Sequence, residues 1–511
     1  MRAVTAEHLI KVTPSAKLLN LSENNFSFVE TDSRKVKPGH LFWVLKGENH
    51  DAHEFIAQAI ELGARGVVLD NTKWGQTIPL NVTIIAVTDT LKALQDWASY
   101  EVRQMKAQVL AITGSSGKTT TKEFTRQILE AQFKVHSNKG SFNNHFGVPF
   151  NILSAPTDTQ VLIVEMGMNH KGEIKELVKI ADPDLVACTM VGQAHLEFFG
   201  SLDKIAESKF EIYNSSSQVI GIFNLSNRWT LWMLEEYKKL YPDKPFYTFK
   251  TCDEQTIKEI SIQNETISNR EGRYKIQSDE GLSQKKIKNT ALETPDVFLM
   301  AKMTSGGLLI KGWIESEYFE IKTGLWGEHH VTNIMAAVSF GLALKMSPQL
   351  IGEQIAKLHT PWGRTQLVKL QSGAIALFDA YNANPESMEA VIHLASQSEI
   401  KTQCYYILGE MLELGANSSQ AHEDLGYLVG NQKPKGVVFF GPHSADFLKG
   451  YEKALGNTEN LSISDTYNEM LAISIKNMLK DNDLVVIKGS RGMKLERAVQ
   501  ALEPILFEVN K

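Results

Sequence analysis

A chain of 511 residues is too long for one compact core, and at roughly 100 to 200 residues per domain it predicts about three domains. Hydrophobic residues make up 43% and charged residues 22%, an ordinary globular balance, and a net charge of -6 argues against a nucleic-acid partner. Cys188, Cys252 and Cys404 stand far apart without a Cys-x-x-Cys pair, which argues against a disulfide framework or a thiolate zinc site and points to a reducing compartment.

In chain order, Met1 to Leu19 carries charges and Pro14 where a signal peptide needs an unbroken apolar stretch, and no later run approaches about 18 apolar residues. The expectation is a cytoplasmic monomer without integral membrane contact. A first α/β unit, residues 1–105, holds strand-like Leu41 to Leu45, helical Ala52 to Leu62 and the apolar run Gly66 to Asp70. A second, residues 106–360, opens on the strand Val109 to Ile112, a Gly-rich turn and a helix from Thr121 toward Phe133. It contains the buried-type strands Val161 to Val164 and Asp184 to Met190. Within it, the polar stretch Thr251 to Pro295 lacks sustained periodicity and reads as a surface excursion. A third unit, residues 361–511, repeats strand then helix at Ile375 to Phe378, Tyr405 to Leu408, Val437 to Phe440 and Leu484 to Ile487. This predicts a Rossmann-like parallel sheet with its ligand loops at the carboxyl ends of the strands. The fold class is α/β in three domains, the central one a P-loop domain with a mostly parallel sheet.

The strongest local signal is Thr113-Gly114-Ser115-Ser116-Gly117-Lys118-Thr119-Thr120 between a strand and a helix. Glycines let backbone N–H groups approach phosphates, the helix N-terminus attracts the anion, Lys118 supplies a point charge and the Thr119 hydroxyl can ligate Mg²⁺. Ile112 stands where the longer form of this loop has its first glycine. Three further residues bear on the reaction: Glu165 ends an apolar strand, His195 follows the strand ending at Met190, and Lys209 lies on the helical stretch Leu202 to Tyr213. Singly, each also reads as an ordinary solvated acid, surface or core histidine, and surface lysine. Together they make an oxygen-rich Mg²⁺ site only if carbon dioxide has converted the lysine amine into a carbamate.

The chain resembles the Mur ligases over essentially its whole length except the excursion. The matching stretches are TDSR at Thr31 to Arg34, GSSGKTTTKE at Gly114 to Glu123, NNHFGVP at Asn143 to Pro149 and EMGMNHKGEI at Glu165 to Ile174. They continue with AHLEFFGS at Ala194 to Ser201, AESKFEIY at Ala206 to Tyr213, DAYNANPESM at Asp379 to Met388, LGEMLELG at Leu408 to Gly415 and KGSRGMKLE at Lys488 to Glu496. The last three resemble the member that adds a dipeptide. The Asp-Asn-Pro-Arg stretch typical of the sister that adds the third amino acid does not occur.

The resemblance implies an ADP-forming ligase of peptidoglycan precursor synthesis, joining D-alanyl-D-alanine to UDP-N-acetylmuramoyl-tripeptide through an acyl phosphate. It implies ATP on Thr113, Gly114, Ser115, Ser116, Gly117, Lys118, Thr119 and Thr120, with Asn333 at the adenine, Arg364 at the phosphates and Asp379 at the ribose. Two Mg²⁺ ions are implied, one on Thr119 and one shared by Glu165, His195 and a carbamylated Lys209; Lys118, Glu165, His195 and Lys209 form the catalytic set. Ser33, Arg34, Gly47 and Asp51 are implied to hold the uridine diphosphate, Asn143 and Asn144 to bind substrate, and Tyr381, Asn382 and Asn384 to hold the dipeptide. His330 stands where the family usually has asparagine and receives no role; Met411, Leu412 and Leu414 read as core. Two other readings stay open. One is a sister or folylpolyglutamate-type ligase adding a single amino acid; the other is a non-catalytic ATP-binding regulatory protein on the same scaffold.

Overall fold

The computed structural model describes residues 3–47, 50–70, 74, 78–138, 140–192, 194, 196–214, 219–257, 259, 295–304, 306–397, 402–412 and 414–507. Most of the expected excursion, 258 and 260–294, lies outside them. By their contacts the residues gather into two compact units: Met1–Lys122, Leu129–Val191 and Ser201–Tyr247 in one, and Glu123–Ile128, Gly192–Gly200 and Thr248–Lys511 in the other.

The first unit begins with a five-stranded sheet made of β1 (Lys17–Asn20), β2 (Phe28–Glu30), β3 (His40–Trp43), β4 (Gly66–Leu69) and β5 (Thr83–Ala86), in the order β1-β5-β4-β3-β2. Only β1 runs antiparallel to its neighbour. The runs in β4 and β5 are buried along their whole length, as strands covered on both faces must be. The helical stretch expected over Ala52 to Leu62 divides into a 3₁₀ turn, Ala52–Phe55, and helix α1, Ile56–Glu61. Helix α2 (Thr90–Gln104) closes the layer. Its Trp97 stacks on Trp43 with ring centroids 5.6 Å apart, and the Trp43 indole N–H donates to the Thr90 carbonyl at 2.9 Å.

The same unit then builds a parallel run from β6 (Gln108–Thr113), β7 (Val135–Ser137), β8 (Val161–Glu165), β9 (Leu185–Cys188) and β10 (Ile220–Asn224), in the order β10-β9-β6-β8-β7. Helices α3 (Lys118–Leu129), α4 (Gly147–Ser154), α5 (Glu173–Ala181) and α6 (Leu202–Asn214) supply the connections. The strand expected from Asp184 to Met190 is shorter at both ends. The Asp184 carboxylate turns away to accept the Val109 N–H at 2.8 Å, and Thr189 and Met190 bend toward the loop after β6.

In the second unit, β11 (Val297–Thr304), β12 (Gly307–Ile314) and β13 (Glu317–Thr323) form an antiparallel meander that the sequence reading missed. Helix α7 (His330–Ala343) follows, buried along almost every turn. The C-terminal sheet comprises β14 (Gln366–Lys369), β15 (Ile375–Phe378), β16 (Cys404–Gly409), β17 (Gly436–Phe440), β18 (Leu461–Ser464) and β19 (Leu484–Lys488), in the order β14-β15-β19-β16-β17-β18. All pairs are parallel except β14 with β15. Each of the four strands expected here is present to within one residue at either end. The two edge strands, β14 and β18, were not expected. Helices α8 (Pro385–Gln397), α9 (Ser418–Asn431) and α10 (Ser444–Leu455) lie between the strands. Among the described residues, no helix is long and apolar enough to cross a membrane, and all three cysteines are free.

Candidate functional site

Strand β6 ends at Thr113 and α3 begins at Lys118, so residues 114–117 make the strand-to-helix turn. Gly114 sits at φ +148, where an added Cβ would meet the Thr189 hydroxyl oxygen at 1.9 Å, so only glycine fits. Thr189 in turn donates to the Ser116 carbonyl at 2.5 Å, and the Ser115 N–H donates to the Met190 carbonyl at 2.9 Å. The exit of β9 thus braces the loop from the side. The Lys118 ammonium folds back over the loop onto the Gly114 carbonyl at 2.7 Å. Helix α3 starts three residues earlier than its sequence pattern suggested, which places Lys118 to Thr120 in the first turn, where N–H groups lack helical partners and attract an anion.

Beside this turn, Glu165 is 1% exposed and both its carboxylate oxygens are engaged. Thr119 donates its hydroxyl to Oε2 at 3.0 Å, and Asn143 donates Nδ2 to Oε1 at 2.8 Å. Gly167 permits this, since a Cβ there would lie 2.7 Å from Asn143 Oδ1. Asn144, by contrast, turns its side chain to the Phe146 and Gly147 N–H groups at the start of α4. Lys209 on α6 is 1% exposed, and burial pushes its ammonium down to about 7, with the charge of Lys118 acting in the same direction and Cys188 opposing it. Burial likewise raises the Cys188 thiol to about 11. A hydroxyl and a carboxylate in contact are the oxygen donors that Mg²⁺ prefers, and a carbamate on a neutral amine would add more. His195 lies outside the described residues.

In the N-terminal part of this unit, Thr31, Asp32, Ser33, Arg34, Gly47 and Gln58 help to line a cavity of about 830 Å³. Arg34 grips Asp32 through Nε at 2.8 Å and Nη2 at 2.9 Å, holding the carboxyl down at about 2. Ser33 donates to Gln58 at 2.8 Å. The Gly47 N–H closes its loop on the His50 carbonyl, and Asp51 binds the His53 ring at 2.6 Å, outside the residues that line the cavity.

The second unit gathers the remaining candidates. Asn333 lies 8% exposed on α7, next to the buried His330; burial keeps that imidazole neutral. The Arg364 guanidinium lies 4.6 Å over the Tyr381 ring, with its buried Nε unpaired. Asp379, just after β15, accepts the Thr365 N–H at 3.0 Å and the Lys488 ammonium at 2.6 Å, and that ammonium also reaches the Asn382 carbonyl at 3.0 Å. Asn384 is committed to the start of α8, its side chain accepting the Ser387 N–H at 2.8 Å. Met411 is core and Leu414 is half-buried, but Leu412 is 46% exposed, a correction to the expected core. Thr189 and Lys488 are the residues that sequence reasoning left without a role. For Lys488 the signal was present in the Lys-Gly-Ser-Arg strand end; for Thr189 none was.

Glu410, His422 and His443 also bring possible ligand atoms within 4.8 Å of one another. Both His422 nitrogens are already occupied, however, Nε2 by the Met411 N–H at 3.0 Å and Nδ1 by the Ser418 carbonyl at 2.7 Å. This cluster therefore anchors the loop after β16.

Three family models match the chain: "Mur ligase family, catalytic domain" over residues 25–101, "Mur ligase middle domain" over 112–341 and "Mur ligase, glutamate ligase domain" over 363–491. A UDP-N-acetylmuramoyl-tripeptide--D-alanyl-D-alanine ligase of Bacillus subtilis (strain 168) is 33% identical over 480 residues, covering 93% of this chain and 92% of the relative. The Rickettsia prowazekii ligase of the same name is 31% identical over 93% of this chain and 95% of its own. A crystal structure of MurF from Acinetobacter baumannii matches with a TM-score of 0.81 at 26% identity, covering 98% of this chain and 99% of that one. With a phosphate loop braced against a buried acid, and this likeness along nearly its full length, the chain belongs to the Mur ligase family.

Proposed function

We propose that this protein is an ATP-dependent ligase that joins D-alanyl-D-alanine to UDP-N-acetylmuramoyl-tripeptide, the reaction named for its relatives. The observation that carries the chemistry is the contact of Thr119 with the buried Glu165 at the mouth of the phosphate loop. In this reading residues 1–105 hold the uridine diphosphate, 106–360 most of the ATP, 361–511 the dipeptide and, through Arg364 and Asp379, the rest of the ATP, and the enzyme works in the cytoplasm.

The triphosphate lies on residues 114–120, drawn by the first turn of α3 and by Lys118. Asn333, Arg364 and Asp379 take the adenine, the phosphates and the ribose; the unpaired Nε of Arg364 supports an anionic ligand there. Thr119, Glu165, His195 and a carbamylated Lys209 are the residues that hold two Mg²⁺ ions. Bound there, the ions supply the positive charge that lets a carboxylate approach a triphosphate. Lys209 suits carbamylation because an ammonium pushed to about 7 leaves much of the amine neutral, and only the neutral amine adds to carbon dioxide.

A carboxylate oxygen of the tripeptide attacks the γ-phosphorus and ADP leaves. The dipeptide amine then attacks the acyl carbon, loses a proton, and phosphate departs as the amide forms. Ser33 and Arg34 hold the far end of the UDP substrate, Arg34 having donors to spare beyond Asp32. Asn143 fixes Glu165, and the loop Tyr381-Asn382-Ala383-Asn384 presents backbone and amide groups to a zwitterionic dipeptide.

Phosphate release, measured with ATP, the UDP-tripeptide and one acceptor at a time, tests this reading. Turnover is expected with D-alanyl-D-alanine and not with single amino acids or a folate. Turnover with a single amino acid and none with the dipeptide would overturn it.

A further inference from the structure

We infer that Lys488 is a positioning residue that ties the nucleotide-facing acid Asp379 and the acceptor loop at Asn382 into one arrangement. The inference rests on the nucleotide and dipeptide assignments above.

Strand β19 lies between β15 and β16, parallel to both, so three carboxyl-terminal loops meet around its end. Lys488 is the last residue of that strand and is 1% exposed. Its ammonium has three protons and three acceptors: Asp379 Oδ2 at 2.6 Å, the Asp379 carbonyl at 3.3 Å and the Asn382 carbonyl at 3.0 Å. Burying a lysine is costly unless each proton finds a partner, and here each of the three does. The other oxygen of Asp379 receives the Thr365 N–H, next to Arg364. One ammonium therefore orients the carboxylate read as facing the ribose and, three residues later, the backbone of the loop read as holding the acceptor. Two residues beyond Lys488, Ser490 extends the same tie to the third loop: its N–H donates to the Glu410 carbonyl at 3.0 Å and its hydroxyl accepts the Leu412 N–H at 2.9 Å. Burial lowers the ammonium of Lys488 while Asp379 opposes the shift, as befits a charge kept only by its partner.

Substitution Lys488→Met keeps the unbranched chain up to the position of Cε and removes the ammonium with its three bonds. Steady-state kinetics should show KM for ATP and for D-alanyl-D-alanine each raised about tenfold or more, with KM for the UDP-tripeptide within about twofold of the parent. Because a half-buried carboxylate left without its lysine can destabilise the chain, Lys488→Met combined with Asp379→Asn is measured beside it. The double variant should fold and show the same two KM increases, without the sum of two separate losses. Unchanged KM for either ATP or the dipeptide, or an equal rise for all three substrates, contradicts the inference. If the parent enzyme fails to turn over the dipeptide, the functional reading fails instead. Calorimetric binding of ADP, expected to weaken about tenfold or more in the Lys488→Met variant and contradictory if unchanged, then decides the role of Lys488 separately.

Discussion

Lys209 is buried, and among the described residues no carboxylate pairs with it, so its charged form weakens the folded state. Burial brings its folded pKa to about 7, below the ordinary lysine value of 10.5. Between those two pH values the unfolded chain binds more protons, so this residue makes stability rise with pH through that window, and its cost is fully present below pH 7. Lys209→Met is therefore expected to raise stability at pH 6 by about 1 kcal/mol or more, and to flatten the rise toward pH 10, while ligation falls at least about a hundredfold. Thermal melts without bicarbonate, paired with the phosphate-release assay, check both halves; a variant less stable at pH 6 would contradict the assignment. At this scale the sequence exposed residue types well: Thr119, Glu165 and Lys209 stand in legible motifs. Thr189 was not legible, because its contact with the phosphate loop crosses from β9 to the turn after β6.

Among the elements, the phosphate-loop turn is held by shape more than by its own bonds. Gly114→Ala places a methyl group 1.9 Å from the Thr189 oxygen at a φ that other residues rarely adopt, so the brace from β9 must break. Nucleotide affinity, measured by calorimetry with ADP, is expected to fall about tenfold or more, and unchanged affinity would show that the brace is irrelevant. The turn was readable because an apolar strand, glycines and a helix agree in order. Its helix was placed three residues late, since Lys118, Thr119 and Thr120 read as loop chemistry although their backbone is already helical. The meander of β11 to β13 escaped because its strands follow a stretch with no sustained period. The edge strands β14 and β18 escaped because they are short and mostly half-buried, without the continuous apolar run that marks central strands.

For the whole molecule, alternation of apolar runs with helical stretches predicted three α/β parts, and the three family matches fall over 25–101, 112–341 and 363–491. What alternation cannot convey is which distant loops converge. Lys488 and Asp379 are 109 residues apart and meet because β19 is inserted beside β15, a strand order that no local pattern encodes. In the proposed reaction the tripeptide carboxylate becomes an acyl phosphate before the amide forms. With both oxygens of that carboxylate labelled with ¹⁸O, mass spectrometry of the products after a single turnover should find one label in the released phosphate and one in the new amide carbonyl. Label appearing in AMP, or none in phosphate, would rule out this order of steps.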